Sequence, residues 1–276
     1  MNIISKQINK MIVHVFDVDG TLTPSRLSID SKFKKYFLKW MKDKTVIFVT
    51  GSDKDKTIEQ IGLDIWNEAD ACMQSCGNHI FVKGEEVSRN PWEAEEGLIA
   101  LLEQFLVISK YRKRTSNHIE HRIGLCNFSV IGRDCSQRER EDYAEWDDFN
   151  KERLDMAQLI NENFPELEAS VGGQISIDIH PRGANKSQAK KWILENIGED
   201  AVIRFYGDKT EKGGNDYDLA NVLKLPHEVF QVKDWEHTYR ILKDSKKRDK
   251  WLVDQYNRNR SAADQINNIN DIKQWL

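Results

Sequence analysis

The first clear hydrophobic pattern is Ile12-Val13-His14-Val15-Phe16, a short β-branched and apolar run that ends in Asp17-Val18-Asp19-Gly20-Thr21. It predicts a buried strand running into a polar turn. Residues 31–41 then place Phe33, Phe37, Leu38 and Met41 at helical spacing. Val46-Ile47-Phe48-Val49 predicts a second buried strand, closed by Thr50-Gly51-Ser52-Asp53, and residues 56–63 predict a helix. Strand, helix, strand, helix is the α/β rhythm, with a parallel sheet and active groups at the carboxyl ends of its strands.

From about Arg89 the texture changes. A helix is predicted over 92–107, followed by the basic stretch Lys110-Tyr111-Arg112-Lys113-Arg114 and two strands over 119–122 and 125–130. A long polar helix is predicted over 136–163, and Ser136 with Glu139 three residues on fits a capping box. In Gln174-Ile175-Ser176-Ile177-Asp178-Ile179 strict alternation puts isoleucine on one face and Gln, Ser and Asp on the other. Strands and helices in this order suggest an α+β unit inserted into the α/β chain. The first rhythm returns with a helix over 186–197, a buried strand over 202–206 that ends in Gly207-Asp208, and a last strand over 229–232. The expected domains are therefore a discontinuous core of residues 1–86 and 184–276, and a cap of residues 87–183. Beyond about residue 244 the tail keeps some helical periodicity and reads as a surface helix or two, or a contact with a second chain. Its cluster Lys246-Lys247-Arg248 reads as a solvated face.

Composition narrows the class of partner more than the fold. With 276 residues, 39% of them hydrophobic, the chain can build a sizeable core in one large or two modest domains. Against 45 Asp and Glu stand 41 Lys and Arg, a balance with no footprint for nucleic acid or an anionic membrane. No apolar run approaches the ~20 residues that span a bilayer, and the first residues do not read as a signal peptide. Cys72, Cys76, Cys126 and Cys135 lack paired zinc-site spacing and read as buried, reduced thiols of a cytoplasmic protein.

The candidate chemistry lies at the strand ends. Asp17 and Asp19 are one residue apart at a turn that can aim both into one cavity. Two carboxylates so close raise the cost of ionising each other, and a divalent cation removes that cost. Hard oxygen ligands with room for water and phosphate suit magnesium. Asp208, at another predicted strand end, can supply a third carboxylate if the two strands are neighbours. A lone Asp at a strand end is usually a turn or cap residue; the set is what points to chemistry.

Phe-Asp-Val-Asp-Gly-Thr-Leu-Thr resembles the signature of the haloacid dehalogenase superfamily of phosphotransferases. The resemblance implies a Rossmann-like core with an inserted α+β cap. It makes Asp17 the nucleophile that forms an aspartyl phosphate and Asp19 the general acid and base. Thr50 and Lys186 match the phosphate-binding hydroxyl and lysine. Asp208 and Asp216, with Asp17 and Asp19, match the metal set.

Within the insert the resemblance is to the eukaryotic-type phosphomannomutases. The strings are Asn127-Phe128-Ser129-Val130-Ile131-Gly132-Arg133, Cys135-Ser136-Gln137 with Arg140, Gly172-Gly173-Gln174-Ile175-Ser176-Ile177-Asp178, and Gly207-Asp208-Lys209-Thr210 with Gly213-Gly214-Asn215-Asp216. The resemblance spans residues 12–242. It implies that Arg122, Arg133 and Arg140 in the cap and Arg26 in the core clamp the phosphate that is not reacting. Arginine suits that task, because its planar fork matches phosphate oxygens and keeps its charge. Ser176 and Asp178, with Asn127 as a lesser candidate, would meet the distal phosphate and sugar hydroxyls. Arg138 and Arg153 read as ordinary surface arginines.

The expected activity is interconversion of mannose 6-phosphate and mannose 1-phosphate on the route to GDP-mannose, with a hexose 1,6-bisphosphate as intermediate and activator. The rival is a sugar-phosphate phosphatase, in which water takes the aspartyl phosphate. A non-catalytic phosphosugar-binding protein is a third reading, opposed by the intact Asp17, Asp19, Lys186 and Asp208. The resemblance leaves room for a homodimer through the cap. Departures from the family pattern are Ser75-Cys76-Gly77-Asn78 in place of Asn-Gly, Ala184-Asn185-Lys186 in place of aromatic-Asp-Lys, and Val222 near an expected Asp of a peripheral cation site.

Overall fold

The computed structural model describes residues 11–244. The expected tail helices from about 244, and the first ten residues, lie outside the described residues.

The core is one sheet built around β1 (Ile12–Phe16). In chain order come α1 (Ser31–Met41), β2 (Thr45–Val49), α2 (Lys54–Ile61), α3 (Leu63–Glu68), β3 (Ala71–Gln74), β4 (His79–Val82) and β5 (Glu85–Arg89). The cap contributes α4 (Glu96–Ile108), β6 (Ile119–Arg122), β7 (Leu125–Phe128), α5 (Gln137–Asn150), α6 (Glu152–Asn163), β8 (Leu167–Gly172) and β9 (Ser176–Pro181). The chain then returns through α7 (Gln188–Asn196), β10 (Val202–Gly207), α8 (Tyr217–Val222), β11 (Glu228–Gln231) and α9 (Trp235–Lys243).

The first sheet has the order β11-β10-β1-β2-β3-β4-β5, parallel from β11 to β3 and antiparallel beyond. Parallel strands are covered by helices on both faces, so their sequences run apolar without alternation. One face packs Phe16, Phe48 and Tyr206 against Phe33 and Phe37 of α1. The other packs Val13, Val15, Ile47 and Phe205 against Ala189 and Ile193 of α7. The second sheet, β6-β7-β9-β8, is antiparallel. Its Phe128, Ile177 and Ile179 form the cap's own core with Leu98, Phe105 and Ile160. As β5 carries the first sheet through Arg89, we propose residues 90–95 and 182–187 as the two links between core and cap.

Several elements differ from the sequence expectation. Gly62, at φ +87°, ends α2 at Ile61 and starts α3. The helix expected from 92 begins at Glu96, after an extended link. The long helix expected over 136–163 is two helices, divided at Lys151 in the left-handed conformation with φ +57°. The break is made by Asp147, whose carboxylate accepts the backbone N–H of Arg153 at 2.9 Å and its Nε at 2.7 Å. Arg153 is thus buried at 4% exposure, a correction to the surface arginine expected of it, whereas Arg138 is exposed. Lys186 lies in the turn before α7, where Asn185 Oδ1 accepts Ser187 N–H at 2.9 Å. The capping box at Ser136 and Glu139 is formed, and all four cysteines are buried and unpaired.

Candidate active site

Because β1 pairs with β10 in register Phe16–Tyr206, the two strand ends present Asp17 and Asp208 side by side. Asp17 N–H still bonds to the Tyr206 carbonyl at 2.9 Å, after which the chain turns through Val18 to Thr23. Gly20 is needed in that turn: its φ is +79°, and a Cβ there would lie 2.4 Å from Asp208 Oδ2. The turn before α7 sends Lys186 under the sheet, fully buried, to Asp17 Oδ1 and Asp216 Oδ1, each at 2.7 Å.

Oxygens of Asp17, Asp208 and Asp216 lie within 4.8 Å of one another. Burial pushes the Asp17 carboxyl well above its ordinary range; Lys186 pulls it down, and the charges of Asp216 and Asp208 push it up further. Burial, then the Asp216 charge, raises Asp208 to about 7. Three carboxylates, Asp17 and Asp216 buried and Asp208 half-buried, thus stand together with only Lys186 bonded among them, an excess of negative charge on hard oxygen donors. That donor set fits a divalent cation of the magnesium type.

The carboxylate of Asp19, expected in the same metal set, lies outside this group of three. Its Oδ1 accepts Arg26 N–H at 2.6 Å and Gln60 Nε2 at 2.9 Å, and Ser52 Oγ lies 3.4 Å from Oδ2. Three donors, two from the loops at Arg26 and Ser52 and one from Gln60 on α2, hold this carboxylate at the wall of the cavity it lines. Thr50, buried at the end of β2, is fixed by its N–H to the Met73 carbonyl at 3.0 Å, and its Oγ1 accepts Ser52 N–H at 3.1 Å.

The cap closes this end of the core over a cavity of about 110 Å³. Arg26, Arg122, Asn127, Arg133, Arg140, Ser176 and Asp178 all line it, together with Asp17, Asp19, Thr50 and Asp208. Lys186 and Asp216 lie behind Asp17. The polar face of β9 is therefore not solvated: Ser176 and Asp178 are 5% and 4% exposed, and Asn127 Nδ2 on β7 donates to Asp178 Oδ1. Arg26, in the left-handed conformation with φ +61°, comes from the core loop. Burial, then the charge of Arg26, lowers the Arg140 guanidinium below its ordinary value, so two cations converge where an anion would relieve them.

Some functional side chains carried no sequence signal of their own. Glu120 receives Arg122 Nε at 2.9 Å and Nη2 at 3.1 Å, and its Oε2 lies 2.8 Å from Arg133 Nε, off the hydrogen-bond direction. It thereby orients two of the arginines that line the cavity, and only the shared strand face of residues 120 and 122 hinted at it. Gln60, 1% exposed on α2, holds Asp19 and was hidden in a helical pattern. Gln174 Oε1, Asn215 Oδ1 and Asn127 Oδ1 are buried without a hydrogen-bond partner in residues that line the cavity.

Residues 33–245 match the family model described as eukaryotic phosphomannomutase. The chain is similar to the phosphomannomutase of Saccharomyces cerevisiae, 34% identical over 215 residues, covering 74% of this chain and 83% of that one. It is similar also to that of Spinacia oleracea, 35% identical over 232 residues, covering 81% and 92%. Among solved structures it resembles a haloacid dehalogenase-like hydrolase from Bacteroides thetaiotaomicron, with TM-score 0.56 and 14% identity over 85% of this chain and 99% of that one. IMP-nucleotidase from Plasmodium falciparum, N-terminally truncated and bound to IMP, aligns with TM-score 0.58 and 15% identity, over 85% and 68%. These two likenesses concern the fold, which is the haloacid dehalogenase-like one, with a parallel core sheet.

Proposed function

The chain belongs to the eukaryotic phosphomannomutase family, and from that premise we propose that it interconverts mannose 6-phosphate and mannose 1-phosphate through a phosphorylated Asp17. The observation that carries this reading is one cavity with two kinds of wall. Asp17 and Asp19 stand on the core side, and Arg122, Arg133 and Arg140 stand on the cap side. A substrate with a phosphate at each end fits both walls in either orientation.

Asp17 accepts the phosphoryl group from a hexose bisphosphate: its Oδ–P bond forms as the sugar C–O–P bridge breaks at phosphorus. Asp19 gives its proton to the leaving sugar oxygen. A hexose monophosphate, its phosphate in the arginine clamp, then offers its free hydroxyl: that oxygen bonds to phosphorus, the Asp17 Oδ–P bond breaks, Asp19 takes the hydroxyl proton, and Asp17 recovers its carboxylate. The bisphosphate so formed turns end for end and gives its other phosphate back to Asp17, leaving the isomerised monophosphate. Ser52, Gln60 and the Arg26 N–H hold Asp19 in place for both transfers. Lys186 steadies the Asp17 carboxylate between turnovers, and Thr50 is the hydroxyl offered to the phosphate oxygens. Asp17, Asp208 and Asp216 would hold magnesium, which when bound neutralises phosphoryl charge. Ser176, Asp178 and Asn127 meet sugar hydroxyls and the distal phosphate, with hexose 1,6-bisphosphate as activator.

The wider expectations belong to the same reading: a place on the route to GDP-mannose and a cytoplasmic enzyme. Its buried, unpaired thiols suit a reducing compartment. No described helix is long and apolar enough to cross a membrane. Exposed Val107, Ile108 and Phe149 on the cap, at 77%, 66% and 89%, support a homodimer through that unit. The function is tested by a coupled assay on mannose 1-phosphate, with and without glucose 1,6-bisphosphate, that follows hexose 6-phosphate and free phosphate together. Bisphosphate-stimulated isomerisation is expected. Free phosphate without isomerisation would replace the mutase with a phosphatase.

A further inference from the structure

The cap touches the core on both sides of the nucleophile's strand. In the central sheet β1 lies between β2 and β10. After β2, the Gly51 carbonyl accepts Arg122 Nη1 at 2.6 Å. After β10, Lys209 Nζ donates to the Gly173 carbonyl of the cap, and a parallel bridge joins Val171 to Gly214 nearby. The first contact uses an arginine already given to the phosphate clamp. The second uses a backbone bridge and one side chain, Lys209, which also lines the cavity and has been given no role so far.

Gly173 is held from the cap side as well. Arg153 Nη1 lies 3.0 Å from the Gly172 carbonyl and 3.3 Å from the carbonyls of Gly173 and Ser176. Asp147 fixes its other edge at 2.7 Å, and both residues are 4% exposed. A guanidinium is rigid and always charged, so three carbonyls that converge on it have their directions set before the core arrives. The turn thus shaped brings Gln174, Ile175 and Ser176 into the cavity wall, and Lys209 meets a carbonyl that is already aimed.

We propose that Arg153 and Lys209 are positioning residues that pin the 172–176 turn over Asp17, and so decide whether the aspartyl phosphate is taken by a sugar hydroxyl or by water. The inference rests on the aspartyl-phosphate reading above. In both outcomes the incoming oxygen bonds to phosphorus, the Asp17 Oδ–P bond breaks, and the incoming oxygen's proton passes to Asp19. Only the source of that oxygen differs. A pinned turn keeps the cavity for the sugar, and a loose one admits water.

Lys209→Met removes the cation and keeps an unbranched chain of similar length; Arg153→Lys keeps a charge and loses the fork. Two quantities are measured: amide exchange of the peptide 171–176 in the substrate-free protein, with β1 as the folding control, and the ratio of free phosphate to isomerised hexose phosphate. In Lys209→Met the turn should exchange roughly tenfold faster or more, as expected for one lost charge-assisted hydrogen bond, with β1 unchanged. The phosphate-to-isomer ratio should rise at least several-fold, and Arg153→Lys should move both quantities the same way. Unchanged exchange in Lys209→Met overturns the pin, whatever the enzyme does. Faster exchange with an unchanged ratio overturns the control of partition. If the unaltered protein makes no isomer, the mutase reading fails, and the exchange result still judges the pin.

Discussion

Lys186→Met is the sharpest test of how the core tolerates its clustered carboxylates. The side chain is fully buried and its one ammonium sits 2.7 Å from both Asp17 and Asp216. At an effective dielectric constant of 20, each pair has a gross attraction of about 6 kcal/mol at that distance. Most of it offsets the cost of taking the charges out of water, so the useful figure is the cost of removing one partner, ~3–5 kcal/mol. With two carboxylates depending on one cation, the upper half of that range is expected. The assay is urea denaturation followed by tryptophan fluorescence, in a chelator so that no divalent cation masks the loss. The sign of the pH dependence follows. Burial already raises the Asp17 carboxyl, and without Lys186 it loses the charge that pulls it down, so its folded pKa lies further above the unfolded ~3.9 and the folded state binds more protons. Stability then falls as pH rises through the folded values, and the deficit should be smaller at pH 5 than at pH 8. Adding Asp216→Asn should recover roughly half of it. A loss below about 1 kcal/mol, or one independent of pH, would refute the reasoning.

Three further outcomes are expected. Glu120→Gln should raise KM about tenfold or more with a smaller effect on kcat, because it frees two clamp arginines worth ~1.5–3 kcal/mol of charge-assisted bonding; steady-state kinetics that leave KM unchanged would dismiss its role. Gly124→Ala should cost about 1–3 kcal/mol in thermal unfolding, since φ is +68° and the new Cβ would lie 2.6 Å from Asn78 Cβ and 2.7 Å from the Asn90 carbonyl. Bonding to Lys113 and to Ser136 pulls Glu139 down to about 2. Its contribution is therefore present above the ordinary carboxylate range and lost as pH falls towards 2. The Tm difference between the natural chain and Glu139→Gln should shrink over that interval; a constant difference would show that the capping bonds do not respond to protonation.

The parallel core was legible because each inner strand is buried on both faces and reads as an unbroken apolar run. That Asp17, Asp19, Asp208 and the four arginines would meet at one cavity was legible because motif strings carry them and parallel pairing brings strand ends together. What the sequence hid depends on side chains that meet across the fold. The break at Lys151 is dictated by Asp147 gripping Arg153, which a helical pattern does not reveal, and the same grip buries an arginine that composition alone would leave in solvent. The direction of the Asp19 carboxylate depends on Gln60, 41 positions away. Glu120 acquires its meaning only when Arg133 is folded back onto it.

The central claim is that Asp17 carries the phosphoryl group and hands it to a sugar. It is tested most directly by loading the enzyme from a hexose 1,6-bisphosphate labelled with 32P, removing free label, and chasing the phosphoenzyme with mannose 1-phosphate. The label should leave Asp17 and appear in hexose bisphosphate. Label that goes to inorganic phosphate, or an Asp17→Asn protein that still takes up label, would contradict the account.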